Sequence, residues 1–475
     1  MLTLADVLEA LTGVRPENAG QIITEATVDS RQAIPGGLFI ALPGEHVDGH
    51  DYVGHAFERG AAYALIQQDL SVETVDLRGS LTPEKLQGAL AGLDGPFCLR
   101  VDNSLRALQQ AARFWRRKLN VRIIGITGSV GKSTTKELIA EVLSQRYRTL
   151  RSSGNLNNEI GLPISLLSLT EGHERAVLEM GFYVPGEIAF LCDLALPAIG
   201  VITNIGTVHA SRAGTRETIA QGKSELVQAL PPAPDGVAVL NYDDPLVKDM
   251  ANKTPARIFF YGLDAGADLW ADNVEGLGLE GIRFRLHYRG EILHLRVPMI
   301  GRHSVQTALR AAAVGLVEGL TWHEIVAGLR SGSSQLRLIA VRTENGALIL
   351  DDTYNASPES TLAALNLLSE LDGRKIAVLG DMLELGRYEM RGHAMVGIRA
   401  AEVADLLVTV GPRARMIAAA AHESGMQGTR ITELEDTQQA IDFLNQNLAV
   451  DDVVLVKGSR GMQMERIVTA LEPVQ

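Results

Sequence analysis

The feature that most constrains the fold of this chain is a glycine-rich segment at residues 127–135 that contains Lys132 and Ser133. The apolar residues 123–126 before it predict a strand, and the helical spacing of apolar residues over 136–143 predicts a helix after it. In such an arrangement, backbone N–H groups and the helix N-terminus face an anion. The lysine reaches the outer phosphates and the serine hydroxyl can ligate Mg²⁺. The segment therefore predicts a nucleotide-binding site in an α/β domain.

The phosphate loop departs from the strict pattern at one position. That pattern has glycine where this chain has Ile126, whereas Gly125 and Gly128 flank the position. The residues predicted to hold the phosphates of ATP are Gly128, Ser129, Val130, Gly131, Lys132, Ser133 and Thr134.

Short apolar runs alternate with amphipathic stretches over most of the chain, which is typical of parallel sheets with crossover helices. The length of 475 residues predicts about three domains. We place their limits at residues 1–101, 102–333 and 334–475, because a helix is predicted from 105 and a polar Gly-Ser stretch follows residue 330. The predicted strands are 121–126, 176–178, 198–203, 237–240, 376–379, 406–410 and 453–456.

The net charge of −13 argues against a chain that binds nucleic acid or an anionic membrane, because both depend on clustered positive charge. Cys98 and Cys192 are too few for a disulfide framework or a cysteine-rich zinc site. The N-terminus lacks a basic segment followed by an apolar one, and no long apolar run predicts a transmembrane helix. These observations predict a cytoplasmic protein.

The central motifs resemble those of the Mur ligases, the ATP-dependent ligases of peptidoglycan synthesis. The resemblance covers nearly the whole chain and in its central part rests on residues 127–135, 154–161, 178–181, 203–206, 221–225, 240–245 and 301–309. It implies that Ser133, Glu179 and His209 hold two magnesium ions. It also implies that Lys223 carries a carbamate. It also implies three α/β domains: a UDP-sugar-binding module, a doubly wound, mostly parallel phosphate-loop domain, and a Rossmann-like domain.

The N-terminal part resembles the UDP-sugar-binding module of the family at residues 29–31, 35–42, 44–45 and 48–51. The C-terminal part resembles the member that adds a dipeptide, at residues 350–358 and 378–386, and it lacks the motifs of the member that adds the third residue. Arg337 and Asp352 stand where the family contacts ATP. The residues that the resemblance assigns to the organic substrates are Ser30, Arg31, Asp48, His50, Asn155, Asn158, Asn355, Lys457 and Arg460.

Three family asparagines are replaced, by Ser304, Thr307 and Ser357. The first usually contacts the nucleotide base, so the resemblance leaves that contact open. A second interpretation of residues 301–309 is a helix start with Ser304 as its N-cap.

The resemblance implies a monomeric ligase that joins D-alanyl-D-alanine to the terminal carboxylate of UDP-N-acetylmuramoyl-tripeptide through an acyl phosphate. Three alternatives stay open. One is the family ligase that adds the third amino acid to the muramoyl dipeptide, or a folate-type relative. A regulatory ATPase would hydrolyse nucleotide without either organic substrate. A catalytically inactive relative is less compatible with the presence of Lys132, Glu179, His209 and Lys223.

Overall fold

The computed structural model of the chain describes residues 1–44, 47–93, 95–207, 210–331 and 339–472. Their contacts divide the chain into two compact units. The first unit comprises Met1–Gly125, Tyr147–Gly181 and Glu187–Ile199, and the second comprises Ile126–Arg146, Phe182–Gly186 and the chain from Gly200 onward.

The first unit begins with a five-stranded parallel sheet. Its strands in spatial order are β1 (Ala26–Thr27), β2 (Leu38–Ile40), β3 (Tyr63–Ile66), β5 (Phe97–Arg100) and β4 (Thr74–Asp76). The helices of this unit are α1 (Leu4–Thr12), α2 (Val53–Glu58), α3 (Pro83–Leu90), α4 (Ser104–Lys118), α6 (Gly161–Leu167) and α7 (Glu187–Ala195).

A nine-stranded sheet follows, in which β6 and β9 contain residues of both units. Its spatial order is β14 (Glu291–Val297), β13 (Ile282–Tyr288), β12 (Leu269–Gly276), β11 (Arg257–Gly262), β10 (Val237–Asn241), β9 (Ile199–Ile202), β6 (Arg122–Thr127), β8 (Arg175–Glu179) and β7 (Thr149–Arg151). The pairs β7–β8, β10–β11 and β11–β12 are parallel, whereas β12–β13 and β13–β14 are antiparallel.

The third sheet lies in the C-terminal part of the second unit. Its order is β15 (Ile339–Arg342), β16 (Leu348–Asp351), β20 (Asp452–Lys457), β17 (Arg374–Gly380), β18 (Leu406–Val410) and β19 (Ile431–Leu434), and only β15–β16 is antiparallel among these strands. The helices of this unit are α5 (Lys132–Leu143), α8 (Ala210–Ala213), α9 (Arg216–Gln228), α10 (Pro245–Lys248), α11 (Ser304–Val317), α12 (Trp322–Arg330), α13 (Pro358–Glu370), α14 (Glu389–Val403), α15 (Arg415–Glu423), α16 (Thr437–Asn447) and α17 (Glu465–Leu471).

Each face of the third sheet has its own apolar core. Ile376 and Val378 pack in a cluster with residues of α16 and α17, whereas Ala377 and Leu379 pack in a cluster with residues of α13, α14 and α15. Successive side chains of a strand point to opposite faces, so a strand that is covered on both sides must be apolar at every position. The predicted strand at 376–379 meets this requirement, and each predicted strand coincides with an observed strand within one or two residues.

Both cysteines are buried, and no helix among the described residues is long and apolar enough to cross a bilayer. Burial raises the pKa of the Cys98 thiol to about 12, so this side chain stays protonated and unreactive near neutral pH.

A buried histidine connects two elements at the edge of the third sheet. The side chain of His393 is fully buried in α14, its Nε2 accepts the backbone N–H of Met382 at 3.1 Å, and its Nδ1 lies 2.8 Å from the carbonyl oxygen of Glu389. Both contacts require the neutral ring with its proton on Nδ1. Burial lowers the pKa of His393, while the nearby charges of Asp381 and Glu389 partly oppose that effect.

We therefore expect His393 to make stability depend on pH. Because its pKa is lower in the folded state, the unfolded chain binds more protons below its own pKa of about 6.5, and stability falls as the pH drops through that value. Thermal unfolding of the wild type and of His393→Gln between pH 8 and pH 5 tests this. The melting temperatures should differ most at pH 8 and converge toward pH 5, and a difference independent of pH would contradict the assignment.

Candidate active site

The predicted phosphate loop connects β6 to α5 through two glycines with left-handed backbone. Gly131, the N-cap of α5, has φ of +83°, and Gly128 has φ of +146°. A Cβ atom at Gly128 would lie 1.8 Å from Oγ1 of Thr203, so only glycine fits this position without displacing its neighbour. The backbone thus requires the glycines at these two points of the loop.

The segment after β9 holds the phosphate loop in place. Asn204 accepts the N–H of Val130 on Oδ1 at 3.0 Å and donates through Nδ2 to the carbonyl oxygen of Val130 at 3.2 Å. Its own carbonyl accepts the N–H of Ser129 at 3.0 Å, and Thr203 Oγ1 donates to the Val130 carbonyl at 2.8 Å. The sequence motif at 203–206 therefore fixes the conformation of the phosphate loop through these contacts.

Two lysines converge on one carbonyl oxygen of the loop. Nζ of Lys132 lies 2.9 Å from the Gly128 oxygen, and Nζ of Lys223 lies 3.0 Å from the same atom. Lys223 is 1 % exposed and its ammonium lies 4.8 Å from the ring centroid of Phe182. Both predicted lysines therefore place positive charge at the phosphate loop.

In the first unit, Glu179 ends β8 with its side chain 3 % exposed. Nδ2 of Asn157 donates to Glu179 Oε1 at 3.0 Å, and the Glu179 N–H lies 3.4 Å from Ser152 Oγ. A carboxylate held by an amide donor is fixed in orientation, which suits a metal ligand. Asn157 was not among the predicted site residues, although it lies in the segment 154–161 that resembles the family.

The predicted magnesium ligands fit that ion in their chemistry. Mg²⁺ prefers hard oxygen ligands, which Ser133 and Glu179 supply. His209 lies outside the described residues. Within the described part of the chain, no three His, Cys, Asp or Glu side chains are grouped so that they could hold a metal ion.

A cavity of about 370 Å³ lies in the second unit beside the phosphate loop. It combines the loop, Asn204 after β9, Asn241 at the end of β10, the start of α11, the segment that follows β16 and Lys457 at the end of β20. Its polar lining residues are Ser129, Thr134, Asn204, Asn241, His303, Ser304, Gln306, Thr307, Arg310, Asp352, Tyr354, Asn355, Ser357, Glu359, Ser360 and Lys457. A concave site in which a few polar groups converge is typical of small-molecule binding.

Asp352 and the buried Lys457 form an ion pair in this cavity. Asp352 follows β16 and Lys457 ends the neighbouring parallel strand β20, so the carboxyl ends of the two strands bring them together. Nζ of Lys457 is 2.7 Å from Asp352 Oδ2 and also donates to the Asn355 carbonyl at 2.8 Å. The Lys457 side chain is 2 % exposed, so the pair fixes the turn that carries Asn355. Three predicted site residues from distant sequence positions are thus in contact.

Ser304 is not the N-cap of helix α11. The N-cap residue is His303, whose side chain makes no cap hydrogen bond, and Ser304 is the first helical residue. The Ser304 hydroxyl donates to the carbonyl oxygen of Ile300 at 2.7 Å instead. The N-cap interpretation is therefore wrong, because Ser304 already has helical backbone and satisfies an acceptor of the preceding turn.

The third replaced asparagine has a clear structural role. Ser357 is the N-cap of α13: its Oγ accepts the N–H of Ser360 at 3.2 Å, and Ser360 Oγ accepts the N–H of Ser357 at 3.0 Å. Serine and asparagine are about equally good N-caps, so this replacement preserves the helix start.

We expect Ser357→Ala to lower the free energy of unfolding by about 1 kcal/mol, because the N–H of Ser360 at the start of α13 loses its acceptor. Urea unfolding followed by circular dichroism measures this. Ser357→Asn is the matched control, with an expected change of only a few tenths of a kcal/mol. Equal losses in both variants would contradict a capping role.

The predicted N-terminal residues lie in the first unit and make specific local contacts. His50 is 3 % exposed; its Nδ1 lies 2.6 Å from Asp48 Oδ1, and its Nε2 accepts the N–H of Gln67 at 3.0 Å. Hydrogen bonds from the backbone and ring of His50 lower the pKa of Asp48 to about 2. Ser30 Oγ lies 3.0 Å from Nδ1 of His55, and the exposed Arg31 binds the Asp29 carboxylate through Nε and Nη2.

The remaining predicted residues differ in their surroundings. Asn155 is exposed, whereas Asn158 Oδ1 accepts the N–H of Gly161 at 2.9 Å at the start of α6. The guanidinium of Arg460 lies 5.6 Å from the ring centroid of Tyr354. Arg337 lies outside the described residues.

Known protein families match the chain over most of its length. The family model "Mur ligase family, catalytic domain" matches residues 22–116, "Mur ligase middle domain" matches 126–315, and "Mur ligase, glutamate ligase domain" matches 336–460. The UDP-N-acetylmuramoyl-tripeptide–D-alanyl-D-alanine ligase of Bacillus subtilis is 36% identical, over 99% of this chain and 98% of its own.

Solved structures agree with this match. A crystal structure of MurF from Acinetobacter baumannii has a TM-score of 0.82 and 30% identity, covering 99% of both chains. The MurF ligase of Thermotoga maritima in complex with ADP has a TM-score of 0.75 and 27% identity, covering 94% of this chain and 96% of its own. The fold therefore has the three Mur ligase domains, and this chain belongs to the Mur ligase family.

Proposed function

We propose that this chain is an ATP-dependent ligase that joins D-alanyl-D-alanine to the terminal carboxylate of UDP-N-acetylmuramoyl-tripeptide, a step of peptidoglycan precursor synthesis. The observation that carries the proposal is the cavity in which the phosphate loop meets the turn of Asp352, Asn355 and Lys457. These residues belong to a chain that aligns over its full length with a relative named for that reaction.

The reaction needs ATP because a carboxylate is a poor electrophile at neutral pH. Transfer of the γ-phosphoryl group to a carboxylate oxygen yields an acyl phosphate and ADP. The amine of D-alanyl-D-alanine then attacks the acyl carbon, and the tetrahedral intermediate releases phosphate and leaves an amide after the nitrogen loses a proton.

Residues of the phosphate loop counter the main electrostatic obstacle, which is the approach of two anions. Lys132 and the N-terminus of α5 offer positive charge to the phosphates. Asn204 holds the loop backbone rigid, so little reorganisation is needed during transfer. Two magnesium ions, when bound to residues that include Ser133, Glu179 and His209, would screen the phosphate charge.

We also propose that Lys223 carries a carbamate in the active enzyme. Addition of CO₂ to its neutral amine, with loss of a proton, would turn a buried cation into an anion suited to a metal site. The burial of Nζ beside the Gly128 carbonyl supports this, because the site shields the group from water. A ¹³C resonance of a carbamate after growth in ¹³CO₂, lost in Lys223→Arg, is the expected result.

We assign the remaining residues by substrate. The nucleotide is contacted by Arg337 and Asp352. The residues that we propose for the muramoyl peptide and the dipeptide are Ser30, Arg31, Asp48, His50, Asn155, Asn158, Asn355, Lys457 and Arg460. Domain limits at 1–101, 102–333 and 334–475, a monomeric state and a cytoplasmic location complete the proposal.

Paired substrates test the assignment against the ligase that adds the third residue. The enzyme is incubated with ATP and Mg²⁺ and either UDP-muramoyl-tripeptide with D-alanyl-D-alanine, or UDP-muramoyl-dipeptide with lysine or diaminopimelate. Mass spectrometry should find an amide product with the first pair only. A product with the second pair alone would assign the chain to the alternative ligase.

A further inference from the structure

Arg310 is a buried arginine in the cavity beside the phosphate loop. It belongs to α11, is 4 % exposed and lines the cavity together with loop residues Ser129, Val130 and Gly131. A Cβ atom built on Gly131 would lie 3.3 Å from Nη2 of Arg310. The guanidinium therefore packs directly against the glycine that starts α5.

The contacts of Arg310 are neutral. Nη2 donates to Oγ1 of Thr307 at 2.7 Å, and Nη1 lies 3.5 Å from the Tyr261 hydroxyl. Nε is buried and has no hydrogen-bond partner in the described part of the chain. No carboxylate of the described residues forms an ion pair with this guanidinium, whereas Arg285 is paired with Asp272 and Arg146 with Glu324.

A buried guanidinium with only neutral partners is costly. Arginine keeps its charge in proteins, and removing an ion from water costs several kcal/mol unless an opposite charge compensates it. A buried guanidinium beside an anion-binding loop is therefore best explained by a bound ligand that supplies the negative charge. The planar fork of arginine suits phosphate oxygens in particular.

We propose that Arg310 is a nucleotide-binding residue of this chain, whose guanidinium donates hydrogen bonds to the phosphate groups held at residues 128–134. Thr307, one of the two positions of the α11 motif where a family asparagine is replaced, orients the guanidinium through its hydroxyl. The chain thus links a departure from the family motif to an added phosphate contact. This inference rests on the proposed nucleotide-dependent function and names a further residue of that same site.

The test compares binding of ADP and of adenosine by isothermal titration calorimetry in the wild type and in Arg310→Met. ADP should bind roughly 10- to 100-fold more weakly to the variant, because a hydrogen-bonded charge pair is lost. Adenosine, which has no phosphate, should bind both proteins equally. The matched control is Arg302→Met, because Arg302 is exposed and pairs with Glu370 at 3.1 Å, and this variant should bind ADP like the wild type.

Thermal unfolding separates a ligand-binding role from a structural one. Without nucleotide, Arg310→Met should melt at the same temperature as the wild type or higher, because the change removes an uncompensated buried charge. The rise in melting temperature caused by ADP should be smaller in the variant. A variant that melts lower without nucleotide yet gains as much from ADP would overturn the inference.

Further variants keep the test decisive if Arg310→Met does not fold. Arg310→Lys keeps the positive charge but lacks the planar guanidinium, and Thr307→Val removes the hydroxyl that orients the guanidinium. Both variants should bind ADP more weakly and bind adenosine as the wild type does. Wild-type ADP affinity in both would overturn the inference and leave the proposed function intact. A wild type that binds no ADP and forms no amide would overturn both.

Discussion

Replacement of Lys132 by methionine is expected to lower kcat for amide formation by at least about 100-fold, since its ammonium acts on charge that develops in the transition state. Its Nζ donates to the carbonyl oxygens of Gly128 and Ser129, at 2.9 Å and 3.4 Å, so the melting temperature must be measured beside the activity. The measurement is product formation at saturating substrates, together with the melting temperature of the free protein.

Lys253→Met is the matched control for this variant. Lys253 is an exposed lysine of the same compact unit, outside the cavity, and its replacement should leave kcat and the melting temperature unchanged. Wild-type activity in Lys132→Met would contradict a role for the lysine of the phosphate loop in catalysis. Loss of activity only in parallel with loss of folded protein would assign Lys132 a structural role.

Replacement of Gly128 by alanine is the second large effect that we expect. The added Cβ would meet Thr203 Oγ1 at 1.8 Å, on backbone with φ of +146°. Left-handed strain alone costs about 1–3 kcal/mol, and the clash must in addition move the carbonyl that Lys132 and Lys223 both contact. ADP affinity should fall at least about tenfold, and the melting temperature should fall as well.

Gly290→Ala is the control that separates the effect of backbone strain from that of the steric clash with Thr203. Gly290 has φ of +85° in the turn between β13 and β14, and a Cβ atom there would have no neighbour within 4 Å. This variant should lose some stability and keep its ADP affinity. If Gly128→Ala also keeps its ADP affinity, the loop geometry does not control nucleotide binding.

The strands of the parallel sheets could be predicted because burial on both faces leaves a clear signal in the sequence. The run at 376–379 is apolar throughout, as the two cores on either side of β17 require. The antiparallel strands β12–β14 were not predicted. Their signal is weaker, because only alternate residues such as Ile282, Phe284 and Leu286 are buried.

The phosphate loop could be predicted because its parts are contiguous in the sequence. Contacts between residues that are distant in the sequence could not be predicted. Asn204 reaches Val130 across 74 positions, and Lys457 reaches Asp352 across 105, so neither pair leaves a local pattern. Arg310 could not be predicted, because a single charged residue in a helix is usually exposed and the sequence does not show that this one is only 4 % exposed.

The most direct test of the ligase mechanism follows oxygen from the substrate carboxylate. UDP-muramoyl-tripeptide labelled with ¹⁸O in its terminal carboxylate is incubated with ATP, Mg²⁺ and D-alanyl-D-alanine, and each component is omitted in turn. The account predicts phosphate release that requires both organic substrates, one ¹⁸O atom in the released phosphate, and an amide heavier than the tripeptide by the dipeptide less water. Release of unlabelled phosphate without either organic substrate, and without an amide, would contradict it and favour a regulatory ATPase.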